Sequence, residues 1–255
     1  MAGTPWVFLP SLIAPGDLQM ELDLWMLAQL KQTNGPAAFL RFYRWANPCL
    51  SIGRHQQMPF APSHLPIVRR PTGGSSVLHG SDLCYALALR APPQGRRLCY
   101  HCINHWLCSA MEQLGEKLNQ GSQPQTGAEN HCFASSTDAD LVDQSGIKRI
   151  GSAQLWQRGH LLQHGSIQLQ PPLEAWQEIF DQPAPAPLSK AVDQELLEQA
   201  LITNASDWLF ANQPLRWDWP DAALTSGRAA TLSAIGARDN PNGYPPCLRA
   251  CSSNC

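Results

Sequence analysis

The feature that most constrains the fold is a run of strand-like segments joined by short turns in the second half of the chain. Residues 140–143 and 148–155 flank a Gln-Ser-Gly turn, and Gly159 separates the second segment from residues 161–169. Segments so close in sequence pair as antiparallel neighbours, because a parallel pair needs a crossover of a dozen or more residues. The pattern therefore predicts antiparallel hairpins and favours an α+β fold over a doubly wound parallel sheet.

Strand-like and helix-like stretches alternate before and after these hairpins. Apolar residues at helical spacing predict helices over residues 18–31 and 98–118, and residues 188–210 also look helical. The Asn-Pro pair at residues 47–48 is expected to join residues 39–45 and 49–53 as a further hairpin. These elements predict one domain over residues 1–212, followed by a loosely ordered, Pro/Gly-rich and Cys-containing tail over residues 213–255.

Composition narrows the classes of partner. Only 15% of the 255 residues are charged, 18 basic against 20 acidic, and they form no run of like charge. This balance argues against a nucleic-acid surface or a polybasic membrane patch. The N-terminus lacks the pattern of a signal peptide, the apolar runs are short, and the nine cysteines are scattered. We therefore expect a cytoplasmic protein with reduced thiols that binds neither nucleic acid nor membrane.

Three chemically informative features follow one another along the chain. The Gly-rich segment Val68–His79 carries two arginines, and Cys132 and Lys148 come after it. Backbone N–H groups of such a turn can hold an acyl or phosphate group. A cysteine supplies a nucleophile, and a nearby ammonium raises its thiolate fraction. Their order indicates transfer of an acyl group, with Cys132 and Lys148 as the predicted catalytic residues.

The predicted substrate-binding residues come from the Gly-rich turn and from two later segments. Arg69 and Arg70 alternate on a strand, so one should face the site, and Arg70, next to the turn, is expected to contact the acyl or carrier group. Arg149, adjacent to Lys148, is expected to point to solvent. The full set of predicted substrate-binding residues is Arg70, Gly73, Gly74, His79, Gly151, Ser152, Ala153 and His164.

A metal site is considered for one cluster of cysteines and histidine. Cys99, Cys102, His105 and Cys108 have spacings that zinc ligands use. The segment is predicted to be helical, and no second Cys-x₂-Cys pair supports zinc binding. We predict no metal, and we expect the three cysteines of the last nine residues to be incidental parts of the tail.

The assembled motifs resemble the lipoate- and biotin-protein ligase superfamily from about residue 6 to about residue 169. Within it, the chain is similar to the cysteine-dependent octanoyltransferases and to lipoate-protein ligase A. The resemblance implies a mixed, largely antiparallel sheet flanked by helices, like the catalytic domain of biotin ligases and class II aminoacyl-tRNA synthetases, placed in residues 1–212. The motifs that carry it are Leu40–Trp45, Asn47–Gln56, Arg69–Gly74, Cys132-Phe133, Gly151–Gln154 and Leu162–Ser166.

The resemblance also implies an activity in protein lipoylation. An octanoyl group would pass from acyl carrier protein to a lysine of a lipoyl domain, in a 2-oxoacid dehydrogenase or the glycine cleavage H protein. The intermediate would be a thioester on Cys132, assisted by Lys148, without a cofactor. Three alternatives remain: an ATP-dependent lipoate-protein ligase that holds lipoyl-AMP with Lys148, a relay amidotransferase that takes octanoyl from another lipoyl protein, and a protein that only binds an acylated partner.

Overall fold

The structure is a computed structural model that describes residues 5–32, 35–59, 61–121, 137, 139–188, 192–210 and 213–225. Its strands are β1 (Trp6–Ala14), β2 (Ala38–Trp45), β3 (Cys49–Ile52), β4 (Ile67–Arg69), β5 (Val77–His79), β6 (Asp82–Arg90), β7 (Asn119–Gln120), β8 (Leu141–Val142), β9 (Lys148–Gln157), β10 (His160–Gln168) and β11 (Leu215–Arg216). Its helices are α1 (Gly16–Gln29), α2 (Arg96–Gln113), α3 (Leu173–Phe180), α4 (Gln194–Asn204), which a π-helical segment (Ala205–Phe210) continues, and α5 (Asp221–Thr225). Cys132 and the chain beyond residue 225 lie outside the described residues.

Two sheets form the framework. The larger has the order β11-β1-β2-β6-β10-β9-β8-β7, in which β11, β1 and β2 run parallel and each later pair is antiparallel. In the smaller sheet, β3 lies between a parallel β4 and an antiparallel β5. The helices pack against these sheets, so the predicted α+β class with a mixed, largely antiparallel sheet is confirmed.

The hairpins that the sequence predicts are present. β8 pairs with β9, and β9 pairs with β10 along most of its length. Arg158 and Gly159 form the two-residue loop between β9 and β10, and both have positive φ, 51° and 79°. This backbone matches the twist of the paired strands, and glycine adopts it without a steric penalty.

The hairpin predicted for residues 39–45 and 49–53 is wrong. β2 lies inside the large sheet between β1 and β6, whereas β3 lies inside the small sheet between β4 and β5. Each strand therefore has both edges occupied by other partners, and no edge remains for the two to pair. The Asn-Pro pair directs the chain from one sheet to the other.

The central strands of the large sheet are buried on both faces. Leu83, Tyr85 and Leu87 of β6 belong to the cluster that includes α2 and α4, whereas Cys84 and Ala86 belong to the cluster that includes α1. Such strands have the nearly continuous apolar sequence seen here, because neither face meets water. The helices thus cover both faces of β6. Within the described ranges, no helix has the length and hydropathy that crossing a bilayer requires.

The residues just after position 212 are packed rather than loose. β11 extends the large sheet by pairing with β1, and the buried indole of Trp219 donates a hydrogen bond to the carbonyl of Pro10 at 2.9 Å. The expected loose tail therefore does not begin before residue 226, from which the chain lies outside the described residues. The domain boundary at residue 212 stays a prediction.

Candidate active site

A cleft is lined by residues of both sheets and of α1, and its empty volume, including the part open to solvent, is about 440 Å³. Most of the predicted substrate-binding residues line it: Arg70, Gly74, His79, Gly151, Ser152, Ala153 and His164. The other lining residues were not among those predicted: Met20, Tyr43, Trp45, Val77, Cys84, Gly165 and Ser166. Five of these seven, Tyr43, Trp45, Val77, Gly165 and Ser166, lie in motif segments noted in the sequence, whereas Met20 and Cys84 lie outside those segments. Tyr43 and Cys84 meet only because β2 and β6 pair in that register.

Arg70 holds the Gly-rich turn together. Its Nη1 donates to the carbonyl and hydroxyl oxygens of Ser51 at 2.7 and 2.8 Å. Its Nη2 donates to the carbonyls of Gly73 and Ser75 at 3.1 and 2.9 Å. A guanidinium has two hydrogens on each Nη, so all four are engaged within the protein. Arg70 thus lines the cleft, with these four donors directed to the chain itself, and its contact with the acyl or carrier group stays a prediction.

His79 links the two sheets. Its Nδ1 lies 2.7 Å from Asp82 Oδ2, and its Nε2 lies 2.7 Å from Ser51 Oγ, the atom that also accepts from Arg70. The Trp45 ring stacks on the imidazole at 4.0 Å between centroids. Both ring nitrogens are therefore engaged, and the imidazole is held in one orientation at the cleft wall.

Asp82 is the buried acceptor of this network. Its Oδ2 accepts from Ser166 Oγ at 2.5 Å and from Cys84 Sγ at 3.2 Å, besides its contact with His79. Burial alone would raise the pKa of Asp82, but the charge and hydrogen bond of His79, with the bonds from Ser166 and Cys84, lower it to about 2. Asp82 is a carboxylate at neutral pH.

His79, Asp82 and Cys84 also form the one trio of metal-ligand side chains found among the described residues, with their ligand atoms within 4.8 Å of one another. Hydrogen bonds among the three account for this proximity. Burial, and then the charge of Asp82, raises the pKa of the Cys84 thiol well above its usual range. At neutral pH, and with no metal bound, the thiol is therefore protonated.

His164 is held from two sides. Its Nε2 lies 2.6 Å from Thr72 Oγ1 in the Gly-rich turn, and its Nδ1 lies 2.8 Å from Asp23 Oδ2. Asp23 in turn forms a fully buried ion pair with Arg41. Burial lowers the pKa of His164, with help from the charges of Arg70 and Arg41, although Asp23 acts in the opposite direction. A neutral imidazole thus connects α1 to the turn.

The two glycines of the turn have different surroundings. Gly74 lines the cleft and has φ +96°, a conformation that L side chains rarely adopt. A Cβ built on Gly53 would lie 1.9 Å from the Gly74 carbonyl oxygen, so the turn approaches β3 closely. Gly73 has no atom within 4 Å of such a Cβ and is not among the cleft-lining residues of the described chain.

The Gly-Ser-Ala segment of β9 lies opposite the His-Gly-Ser segment of β10. Gly151 pairs with Ser166, and Ser152 pairs with Gly165. A Cβ on Gly165 would lie 2.5 Å from the Tyr85 ring and 2.9 Å from the Gly151 carbonyl oxygen. Gly165 is therefore the residue that lets the Tyr85 ring reach Ser152, whose Oγ lies 2.8 Å from the phenolic oxygen.

Lys148 is the first residue of β9, three positions before the cleft-lining Gly151. Its side chain is buried, and its Nζ lies 3.0 Å from Asp140 Oδ2. The same Asp140 oxygen accepts from the backbone N–H of Thr137 at 2.8 Å and from its hydroxyl at 3.1 Å. The ammonium is thus connected to Thr137, five residues after Cys132 in the sequence. Among the described residues, Lys148 does not line the cleft.

The expectation that Arg149 points to solvent is wrong. The residue is buried, its Nη2 lies 2.6 Å from Asp143 Oδ2, and its Nη1 donates to the carbonyl of Ala186. The extended connector after α3 covers the opposite face of β9, which is why both faces of the strand are buried at this point.

Cys132 lies outside the described residues, so its placement stays a prediction. The five described cysteines form no disulfides with one another. Burial raises the pKa of Cys49 to about 12 and those of Cys99 and Cys108 to about 11, and it also raises the pKa of Cys84 well above its usual range. These four thiols are poor nucleophiles at neutral pH, because the thiolate is the reactive form.

Comparison with known proteins identifies the family. The model of the lipoyl protein ligase A/B catalytic domain matches residues 15–212. The chain belongs to this family. Octanoyltransferase LipM of Oceanobacillus iheyensis is 32% identical over 212 residues, which cover 78% of this chain and 77% of that protein. Octanoyltransferase LipM of Symbiobacterium thermophilum is 27% identical over 245 residues, 90% of this chain and 87% of the relative. The predicted resemblance is confirmed.

Solved structures of lipoate-protein ligases share the fold of this family member. A bipartite lipoate protein ligase from Thermoplasma acidophilum, studied with its E2 lipoyl domain, superposes with a TM-score of 0.69 at 16% identity, covering 88% of this chain and 90% of that chain. Lipoate-protein ligase A bound with ATP gives 0.66 at 16% identity, with 87% and 92% covered. At such low identity, these similarities support the fold alone.

Proposed function

We propose that this chain moves an octanoyl group from acyl carrier protein to a lysine of a lipoyl domain through a thioester on Cys132. The octanoyltransferase class, in protein lipoylation, is confirmed by LipM relatives at about 30% identity over most of the chain. The donor, the acceptor and the thioester are the proposal. So are a cytoplasmic location and independence from a cofactor.

The observation that carries the thioester is the buried ion pair of Lys148 and Asp140 and its connection to Thr137. A buried ammonium near a cysteine favours the thiolate and can also stabilise negative charge on an acyl oxygen. Burial raises the pKa of the Cys49, Cys84, Cys99 and Cys108 thiols, which makes these four unsuited to that role.

The chemistry consists of two exchanges at one carbonyl carbon. The Cys132 thiolate forms a bond to this carbon, the bond to the donor sulfur breaks, and the donor leaves as a thiol after taking up a proton. The acceptor amine then forms a C–N bond, the bond to Cys132 breaks, and the amine proton returns to the sulfur. The first step exchanges one thioester for another, and the second forms a stable amide, so ATP is not needed.

The alternative is an ATP-dependent ligase. It is favoured by the fold shared with lipoate-protein ligase A bound with ATP, although that likeness is at 16% identity. In this alternative, Lys148 and the Gly-rich turn would hold lipoyl-AMP, and Cys132 would have no chemical role.

The decisive experiment offers the full chain three donors with one lipoyl-domain acceptor: octanoyl-acyl carrier protein, octanoyl-lipoyl domain, and lipoate with ATP. Intact-mass spectrometry without acceptor should show one octanoyl group on the chain, lost in Cys132→Ala. Cys108→Ala serves as the matched control, because this thiol is partly buried on α2, away from the cleft, and it should keep the acyl group.

Each other outcome identifies an alternative. Product from lipoate and ATP alone, with Cys132→Ala fully active, would establish the ligase. Transfer only from the octanoyl-lipoyl domain would establish the relay amidotransferase. Acylation that survives Cys132→Ala and disappears in Cys84→Ala would move the nucleophile to the cleft wall. No product from any donor would leave a protein that only binds its partner.

A further inference from the structure

The hydrogen-bonded trio of His79, Asp82 and Cys84 has the spacing of a metal centre. Asp82 Oδ2 lies 2.7 Å from His79 Nδ1 and 3.2 Å from Cys84 Sγ, and the sulfur lies 3.8 Å from the same Nδ1. A circle through these three atoms has a radius of about 1.9 Å, whereas zinc lies about 2.0–2.3 Å from nitrogen, oxygen and sulfur ligands. An ion slightly out of their plane would therefore reach all three atoms at bonding distance.

The three atoms are also directed toward one another. Each pair of them has hydrogen-bond geometry, so their lone pairs point into the space between them. The Asp82 carboxylate accepts there from the imidazole and from the thiol. An ion in that space would replace these two hydrogens: the thiol hydrogen would leave to solvent as a proton, and the imidazole hydrogen would move from Nδ1 to Nε2. Ser51 Oγ, 2.7 Å from Nε2, can accept it.

The charges and chemistry of the trio suit a divalent ion. The Asp82 carboxylate and a metal-bound Cys84 thiolate would together carry two negative charges, which match the two positive charges of the ion. The trio is buried, with side chains between 1% and 4% exposed, and an uncompensated charge at such a site is costly. Sulfur and imidazole ligands favour zinc, whereas magnesium and calcium prefer oxygen ligands.

Each ligand of the trio has a supporting hydrogen bond from outside it. The sulfur accepts from the indole N–H of Trp45 at 3.3 Å, and the imidazole Nε2 contacts the Ser51 hydroxyl. The second carboxylate oxygen accepts from the backbone N–H of Gly80 at 3.2 Å. Such outer contacts fix the orientation of metal ligands, so the trio is held in place before an ion binds.

The trio lies where the two sheets meet. His79 ends β5 of the small sheet, whereas Asp82 and Cys84 lie on β6 of the large sheet. Asp82 and Cys84 share a face of β6, because they are two positions apart. Cys84 packs in one apolar cluster with Met20 and Trp45, and all three line the cleft. The trio is therefore on the cleft side of the large sheet, which gives an ion a path from solvent.

We propose that His79 Nδ1, Asp82 Oδ2 and Cys84 Sγ bind Zn²⁺ or a chemically similar divalent ion. Three protein ligands leave one position of a tetrahedral shell for water. The bound ion joins β5 to β6 and so fixes the small sheet against the large one. The site is distinct from the cysteine cluster of α2, which is the one place where the sequence analysis considers a metal. The inference concerns ion binding and does not depend on the proposed function.

Zinc titration of the reduced, metal-free full-length chain tests the site. Cys84→Ala and Asp82→Asn should each lower the affinity for Zn²⁺ by more than about 100-fold, because loss of an outer contact alone costs about 10–100-fold. Cys49→Ala is the matched control. Cys49 is as buried as Cys84 and lies in the same apolar cluster, but its sulfur is not part of the trio. This variant should keep the wild-type affinity within about threefold.

Spectroscopy identifies the ligands of the ion. X-ray absorption by the zinc-loaded wild-type chain should show one sulfur at about 2.3 Å and the remaining ligands, nitrogen or oxygen, at about 2.0 Å. Co²⁺ in place of zinc should give a sulfur-to-cobalt charge-transfer band that Cys84→Ala abolishes and Cys49→Ala retains. Two or more sulfurs around the zinc would place the ion at other cysteines and overturn the proposal.

Thermal unfolding verifies that each variant is folded and gives an independent measure of binding. Free Zn²⁺ at about 100 times its Kd should raise the unfolding midpoint of the wild-type chain by about 5–10 °C. An equal shift in Cys84→Ala, or a wild-type Kd weaker than about 1 mM, would overturn the proposal. If neither ligand variant folds, the X-ray absorption of the wild-type chain decides. None of these measurements uses acyl transfer, so failure of the proposed function leaves the inference intact.

Discussion

Two buried hydrogen-bond networks on opposite faces of the large sheet differ in their charge. The turn wall, formed by Arg70, His79 and His164 with their partners, carries the charges, and its polar hydrogens bond to other parts of the protein. The other network lies on the face of the sheet that α2 covers, runs from Trp156 through Gln154, Gln163 and Tyr85 to Ser152, and consists of neutral groups. The difference shows that a charged residue at a cleft can serve the shape of the site, because its donors are directed to the protein itself.

The largest expected effect comes from breaking the buried ion pair behind the turn wall. Arg41→Met leaves Asp23 charged and buried without its partner, which should lower the free energy of unfolding by about 3–5 kcal/mol. Arg44→Met, on the same strand, is the matched control, because its pair with Glu198 is partly exposed and should contribute about 0–1 kcal/mol. Urea unfolding measures both. Similar losses in the two variants would contradict a structural role for the turn-wall charges.

Acidification should lower the free energy of unfolding in two stages, through groups of the turn wall. His164 has a lowered pKa in the fold, so below about pH 6.5 the unfolded chain takes up a proton that the folded chain does not, and stability falls. Asp82 has a pKa of about 2 in the fold against 3.8 for its usual value, so its contribution is present above pH 3.8 and is lost as the pH falls toward 2. The loss of the Asp82 contribution should lower the free energy of unfolding by about 2 kcal/mol.

Unfolding measured between pH 7 and pH 3 tests this expectation. Asp82→Asn should be less stable at pH 7 and should lose less of its remaining stability below pH 4 than the wild-type chain. Asp218→Asn, at an exposed position near α5, controls for the loss of one acidic group. A wild-type stability that rises on acidification would contradict the assigned ionisation states.

Arg70→Lys separates a structural role from contact with the substrate. An ammonium cannot span the four acceptors that the guanidinium fork joins, so unfolding should become about 1–3 kcal/mol easier. If Arg70 instead contacts the acyl or carrier group, as the sequence analysis expects, KM for the donor should rise with little change in stability. Urea unfolding and steady-state kinetics on the same variant distinguish the two roles.

The smallest expected effects compare the two glycines of the turn. Gly74→Ala places a side chain at φ +96° and should cost about 1 kcal/mol or more. Gly73→Ala meets no neighbouring atom and should change stability by less than about 0.5 kcal/mol. Thermal unfolding of both variants measures the difference. Equal effects would mean that the shape of the turn does not depend on Gly74.

Several features of the site could be predicted from the sequence because they are local. Most of the cleft residues were predicted from three motifs: the Gly-rich turn, Gly-Ser-Ala and His-Gly-Ser. The strands β8, β9 and β10 were predicted from the short turns between them. The predicted hairpin of residues 39–53 failed because strand pairing depends on which edges are free. The burial of Arg149 was missed because the connector that covers it comes from about 40 residues later in the chain.

The sequence by itself determined the α+β class, the family and the segments that meet at the cleft, since period-two alternation and turn residues act over a few positions. The tertiary structure alone decided which polar groups form hydrogen bonds within the protein. Whether the guanidinium of Arg70 can reach a ligand depends on acceptors brought from other strands and loops. The acceptors that each donor meets are set by packing in three dimensions, because each donor must find an acceptor once water is excluded.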